Sequence, residues 1–336
     1  MPGAESRRSR LDIDSLRVAF RRVLRSPGAT VSILLSIALG LGGAAAIFTI
    51  AWAALVEGLP YEDPQSLVHI WERRGALDER SPTSYPTFSD WRNMSDGFSA
   101  LEGYDPANFT VDLEGGARML RGARVTDGFF DLLGIEMTLG RDFGTGSAGR
   151  NIAVVTEGFS RSLSAEGAIG RTIPIDGVSY LIVGLVPDEF HFSLLQDAQL
   201  FVPLDIVGPR AIDRSQRYVQ VLGRLEKEVS YGEAVRQLES VMATLSADYP
   251  EALAGRTIAA APLKDVLLRD VRPVLIALLL AAALLIAIMA TNLSLLTFTK
   301  YLRRLGEIEI QSVLGATRRR IVGQLVTEVL IPSVVG

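Results

Sequence analysis

Two long apolar stretches of this chain carry no charge at all, and the charged residues are confined to the ends and to one long interval between those stretches. Residues 30–55 (TVSILLSIALGLGGAAAIFTIAWAAL) and 274–299 (VLIALLLAAALLIAIMATNLSLLTFT) are each 26 residues long. At a rise of about 1.5 Å per residue, a helix of that length exceeds the roughly 30 Å hydrocarbon core of a bilayer. Each is therefore predicted to be a transmembrane helix. A third apolar run, residues 321–336, includes Glu328 and Pro332 and is predicted to be the start of a truncated third span.

Ala51-Trp52-Ala53 imitates a small-residue cleavage site at the end of the first stretch. A cleaved signal peptide has an apolar core of only roughly 7–15 residues, so the reading is an uncleaved anchor. Gly40, Gly42 and Gly43, followed by Ala44, Ala45 and Ala46, make a smooth patch on this helix. Gly40 and Gly43 are the candidate positions for close helix packing.

Between the two stretches, residues 57–272 alternate between short apolar runs and turn residues, and the 216 positions are enough for one or two domains with their own core. Residues 172–175 and 178–186 are predicted to form a hairpin, because Asp176-Gly177 supplies the positive φ that a two-residue turn needs. Val235, Leu238, Met242 and Leu245 recur at helical spacing before Tyr249-Pro250 ends the run. A strand is expected at 152–155, and a helix around 127–133 closed by Gly134. The expected class is an α-helical membrane protein with an α+β extracytoplasmic domain inserted between the first and second transmembrane helices.

Charge sets the orientation. Residues 1–29 hold seven arginines and residues 300–320 hold six basic residues, whereas residues 56–72 hold four acids and no Lys or Arg. Basic flanks stay cytoplasmic, so both flanks are expected inside and the long interval outside. Leu16, Phe20, Val23 and Leu24 share one helical face and Arg17, Arg21, Arg22 and Arg25 the other, as in a segment lying along the inner leaflet in contact with lipid. A plain stop-transfer cluster would carry the same residues. The division expected is a basic amphipathic segment (1–29), transmembrane helix 1 (30–55), the outside domain (56–273), transmembrane helix 2 (274–299), a cytoplasmic region (300–320) and the partial third span (321–336).

Composition narrows the chemistry. A net charge of −4, with 31 Arg against 3 Lys, gives no global basic field and argues against nucleic acid. The absence of cysteine removes disulfides, thiolate zinc sites, iron–sulfur clusters and thiol nucleophiles. The two histidines, His69 and His191, form no HExxH pair, no serine sits in GxSxG, and no lysine follows a glycine as in a phosphate-binding loop. Catalytic, cofactor-binding and metal-ligating residues are therefore assigned nowhere.

Longer blocks carry a resemblance. SIALGLGGAAAIFTIAWAALVEGLPYEDPQSLVHIWE (36–72), SYPTFSDWRNMSDGFSAL (84–101), RGARVTDGFFDLLGIEMTLGRDF (121–143), GRTIPIDGVSYLIVGLVPDEFHF (170–192), FVPL (201–204) and EIEIQSVLGATRRRIVGQLVTE (307–328) follow one another in order. Together they resemble the MacB/FtsX-type ABC transporter permeases, most of all the duplicated orphan permeases of acidobacteria. The resemblance implies that the outside domain is a MacB-type periplasmic core and that residues 305–320 are a coupling helix meeting a separate cytoplasmic ABC ATPase subunit. It also implies a dimer or pseudo-dimer of permease halves in a bacterial inner membrane and no cofactor; since relatives have four spans per unit, the chain reads as the N-terminal part of a permease, either a fragment, a truncated gene or half of a split system. Glu307, Val313, Leu314, Gly315, Arg318, Arg319 and Arg320 are the candidate coupling residues, although Gln311 stands where relatives commonly carry Arg. The function expected is transmission of ATP-driven motion to the periplasmic domain for export or efflux. The alternative is an FtsX-like relay that regulates a periplasmic cell-wall hydrolase, and a membrane-anchored enzyme would need a catalytic constellation that the chain does not display.

Overall fold

A computed structural model describes residues 27–55, 61–75, 80–113, 116–163, 167–188, 194–195, 197–204, 206 and 208–303. The chain divides into two compact units, residues 1–57 with 270–336, and residues 58–269. In the first unit, helices α1 (Pro27–Leu55) and α9 (Arg272–Arg303) pack against each other. A Cβ on Gly40 would lie 3.0 Å from Met289 Sδ, whereas one on Gly43 would meet nothing within 4 Å. Large apolar side chains stay exposed along both helices, Leu39 at 73% and Leu280 at 67% among them. By length and hydropathy, Arg272–Leu295 is long and apolar enough to cross a membrane, and Ala38–Trp52 is a shorter apolar stretch.

The second unit is built on one 11-stranded mixed sheet. Its strands are β1 (Leu67–Arg74), β2 (Thr83–Ser84), β3 (Phe98–Leu113), β4 (Gly116–Val125), β5 (Leu139–Gly140), β6 (Ile152–Thr156), β7 (Thr172–Ile175), β8 (Val178–Val186), β9 (Leu200–Pro203), β10 (Arg217–Leu225) and β11 (Arg256–Pro262). They run in the order β11-β1-β10-β3-β4-β9-β6-β8-β5, with β2 on β10 and β7 on β3 and β8. The pairs β4–β9 and β6–β8 are parallel. The helices are α2 (Tyr85–Met94), α3 (Phe129–Leu133), α4 (Glu157–Leu163), α5 (Pro209–Ile212), α6 (Tyr231–Asp248), α7 (Pro250–Leu253) and α8 (Leu263–Leu268).

The expected hairpin is β7 and β8, and Asp176 and Gly177 at its turn take φ of +50° and +80°. The expected amphipathic helix is α6. Ser230 accepts the Glu233 N–H at its start, and Ala234, Leu238, Val241, Met242 and Leu245 form its buried stripe. Val235, placed in that stripe by spacing, is only partly buried, because Ala234 and Val241 rotate the inward face by a residue. The expected short helix is α3, closed by Gly134 at φ +69°, and the expected strand is β6.

Apolar residues on β1 explain why it is central rather than at a solvated edge. Val68 and Ile70 join the core shared with α2 and α6, while Leu67 joins the opposite core with Phe129, Phe130 and Leu263. A strand covered on both faces reads as a continuous apolar run, which LVHIW nearly is. A third core, around Phe109, Val155, Ile182 and Leu200, lies under α4.

Candidate functional site

The chain enters the sheet beside α3 and leaves it through α8, and both places are tied to the same core. Tyr61 is buried against the core of α3, and burial pushes its phenol up from the ordinary value. Glu62 N–H donates to the Leu133 carbonyl at 3.3 Å, and a Cβ on Gly134 would stand 2.4 Å from Glu62 Cβ. Glycine at 134 thus serves twice: its left-handed φ ends α3, and its missing side chain lets the segment entering the sheet approach.

Arg224 on β10 locks this junction. Its Nε and Nη2 donate to the Leu132 carbonyl at 3.2 and 2.6 Å, and Nη2 also to the Glu62 carbonyl at 2.7 Å. Nη1 donates to the Asp63 carbonyl at 3.3 Å and the Ser66 hydroxyl at 2.7 Å. All five N–H donors of the guanidinium are thereby used, three of the five bonds going to the segment that leads into β1. At the other end, Leu263 and Val266 of α8 are buried, the first in the same core as Tyr61 and Leu67.

Beside the junction lies a cleft of about 450 Å³ whose lining includes Arg92, Glu102, Gly128, Asp131, Leu132 and Arg224. Glu102 is buried, pairs with Arg92 at 3.0 Å and accepts the Thr126 hydroxyl, which itself accepts the Gly103 N–H at 2.9 Å. Burial raises the Glu102 carboxyl above its usual range, against the pull of Thr126, Arg92 and the Gly128 backbone. A Cβ on Gly128 would sit 2.5 Å from Glu102 Oε1, so any larger residue there would push the carboxylate out of its present bonds. With every oxygen of Glu102 engaged, the carboxylate is a brace between α2, β3 and the start of α3. Among the described residues, no three His, Asp or Glu side chains come together as a metal site.

A second buried charge braces the other end of the sheet. Glu72, fully buried, accepts from Thr83 Oγ1 at 2.6 Å and pairs with Arg217 Nε and Arg256 Nη1, each at 3.0 Å. One carboxylate thus joins β1, β2, β10 and β11.

The candidate coupling residues Glu307, Val313, Leu314, Gly315, Arg318, Arg319 and Arg320, the basic segment at 1–26 and the run at 321–336 lie outside the described residues. Glu72, Glu102 and Arg224 were not singled out by sequence pattern. The available signal was a charged residue standing inside an otherwise apolar strand, as in LVHIWE and VQVLGRL.

No curated protein matches the chain. Among solved structures, it is similar to the periplasmic region of MacB from Actinobacillus actinomycetemcomitans, at 11% identity over 62% of this chain and 94% of that one, with a TM-score of 0.47. It is also similar to the extracellular domain of the noncanonic ABC-type transporter YknZ from Gram-positive bacteria, at 11% identity over 57% of this chain and 99% of that one, with a TM-score of 0.44. The model of the MacB-like periplasmic core domain matches residues 30–241, well over half of the sequence. The chain therefore belongs to the MacB-like periplasmic core domain family, the extracytoplasmic module of ABC-type transporter permeases.

Proposed function

We propose that this chain is the N-terminal part of a permease subunit that carries ATP-driven motion from a separate cytoplasmic ATPase to its periplasmic core domain, for export or efflux. The observation that carries this reading is the family match over residues 30–241. The fixing of both ends of the core domain adds to it: Arg224 ties the entering segment to β10 and to the end of α3, and α8 ties the leaving segment to the same core.

In this reading, residues 30–55 and 274–299 span the inner membrane with both flanks cytoplasmic, Gly40 packs against the second helix, and Gly43, open on this chain, is left for the helix of another permease half. Motion enters at residues 305–320, where Glu307, Val313, Leu314, Gly315 and the three arginines 318–320 meet the ATPase. It passes along rigid helices into residues 61–66 and 263–268. A displaced entering segment pulls on Arg224 and hence on β10, which sits between β1 and β3. The chain itself makes and breaks no covalent bond, and it works as a dimer or pseudo-dimer.

Co-purification of the full chain in detergent tests this. An ATPase is expected with the wild type and is expected to be lost when Leu314→Asp and Gly315→Asp are combined, with the core domain still folded. A stable protein that recovers no ATPase in either form overturns the reading.

A further inference from the structure

One face of β1 collects buried nitrogens that have no hydrogen-bond partner. His69, Trp71 and Arg73 alternate on that face, and His69 Nδ1, Trp71 Nε1 and Arg73 Nε are all buried and unpaired. Arg80, on the segment that returns along β1 through paired Glu72 and Ser81 backbones, adds a fourth, its Nε. Its guanidinium carbon lies 4.9 Å from the centroid of the Trp71 ring. Buried polar groups in folded proteins are nearly always paired, so four such nitrogens within twelve residues are a local exception.

The cluster is ordered from below. Tyr104 Oη lies 3.3 Å from His69 Nε2 and donates to Gln220 Oε1 at 3.0 Å. The His69 and Trp71 rings are 5.6 Å apart. His69 is buried, and its pKa falls to about 4, first through burial and then through the Arg80 charge. The imidazole is therefore neutral near pH 7, and the positive charge at this face belongs to the arginines. Both arginines are half-buried.

Among the described residues, no acid pairs with the arginines on this face. Glu72, the one acid on β1, is already shared by Arg217 and Arg256 on the opposite face. Arg73 and Arg80 enter no ion pair among the described residues. Planar guanidinium groups offering unused N–H donors beside an indole suit a compact anion with several oxygens, which accepts in a fork.

We propose that this face of β1 and the segment bearing Arg80 form a receptor for a multi-oxygen anion, a phosphate or carboxylate group of a ligand, gripped by Arg73 and Arg80 and seated against Trp71. The inference does not depend on the transport reading, because it concerns the core domain alone.

The full chain in detergent is titrated with inorganic phosphate and, separately, with acetate, at an ionic strength held constant with chloride. Tryptophan fluorescence is the readout, and Trp71→Phe separates the Trp71 signal from Trp52 and Trp91. A saturable change is expected with at least one anion, and it identifies which group the site takes. Arg73→Gln and Arg80→Gln should each weaken binding about tenfold, the loss of one charge-assisted bond. Arg80→Lys, which keeps the charge but loses the fork, should fall between. Unfolding midpoints in chloride show that each variant is folded. No saturable change in the wild type with either anion, or unchanged affinity in the folded double variant, overturns the proposal.

Discussion

Replacing Glu72 by Gln keeps the size of the side chain and the bond with Thr83, but strands two arginines with no counter-charge. Their side chains are 15% and 13% exposed, and the Glu72 side chain is fully buried, so water cannot take over the missing role. Breaking a buried ion pair by removing one partner costs about 3–5 kcal/mol, mostly as the desolvation of what remains. Arg217 retains the Ala252 carbonyl at 2.6 Å and the Ser215 carbonyl at 3.0 Å, which places the expected loss at the low end, about 3 kcal/mol. That is a large part of the roughly 5–15 kcal/mol that holds a domain folded. For a domain of this size it corresponds to a fall of about 6–12 °C in Tm. Thermal unfolding of the full chain, followed by near-ultraviolet circular dichroism, measures it, and added salt should change the difference little because the triad is shielded from solvent. A fall of less than about 2 °C would refute the account, since the carboxylate would then not be the tie between the four strands.

Gly134→Ala should destabilise by at least about 1–2 kcal/mol for the left-handed φ alone, with more for the clash with Glu62, seen as a lower Tm. Arg224→Ala should cost about 2–3 kcal/mol and should speed hydrogen exchange in residues 61–66 ahead of the rest of the sheet, with Arg224→Lys failing to restore protection. Asp142 is raised to about 6, first by burial and then by Asp131, Asp127 and Glu102, against a backbone bond from Phe143. A carboxyl raised in the folded state binds more protons there than in the unfolded chain, so its contribution to stability falls as pH climbs from about 4 to about 6 and stays low above that. Asp142→Asn should therefore stabilise the chain at pH 7 by about 1 kcal/mol after solvent screening and should flatten stability between pH 4 and 6 in denaturant titrations.

What the sequence disclosed was governed by range. The β7–β8 hairpin is local: Asp176-Gly177 fixes its turn, and the strands on either side need only each other. The α6 stripe is equally local, and its misplaced Val235 shows how spacing fixes a face to within one residue. The long β3–β4 hairpin was not foreseen, because Pro106 and the polar positions Asp105 and Asn108 blur its alternation, and its register is held by partners elsewhere in the sheet. The braces were hidden for the same reason: Arg217 and Arg256 stand 145 and 184 residues from Glu72, and Arg224 stands 162 residues from Glu62. A charge inside an apolar strand announces that it needs a partner, but nothing in the local pattern says which one. The resemblance supplied the family and the class of domain, while the coupling stretch at 305–320 falls beyond the described residues.

The first and last strands of the core domain, β1 and β11, are antiparallel neighbours, with Val68 opposite Pro262. To whatever flanks it, a domain of some two hundred residues is therefore equivalent to the tip of a hairpin. Its two ends leave side by side, so it can be exchanged between scaffolds, enlarged or lost without forcing the flanking helices apart. The same closure makes the pairing of β1 with β11 the longest-range contact in the sheet, and thus the step expected to complete folding last, once the chain between them has condensed.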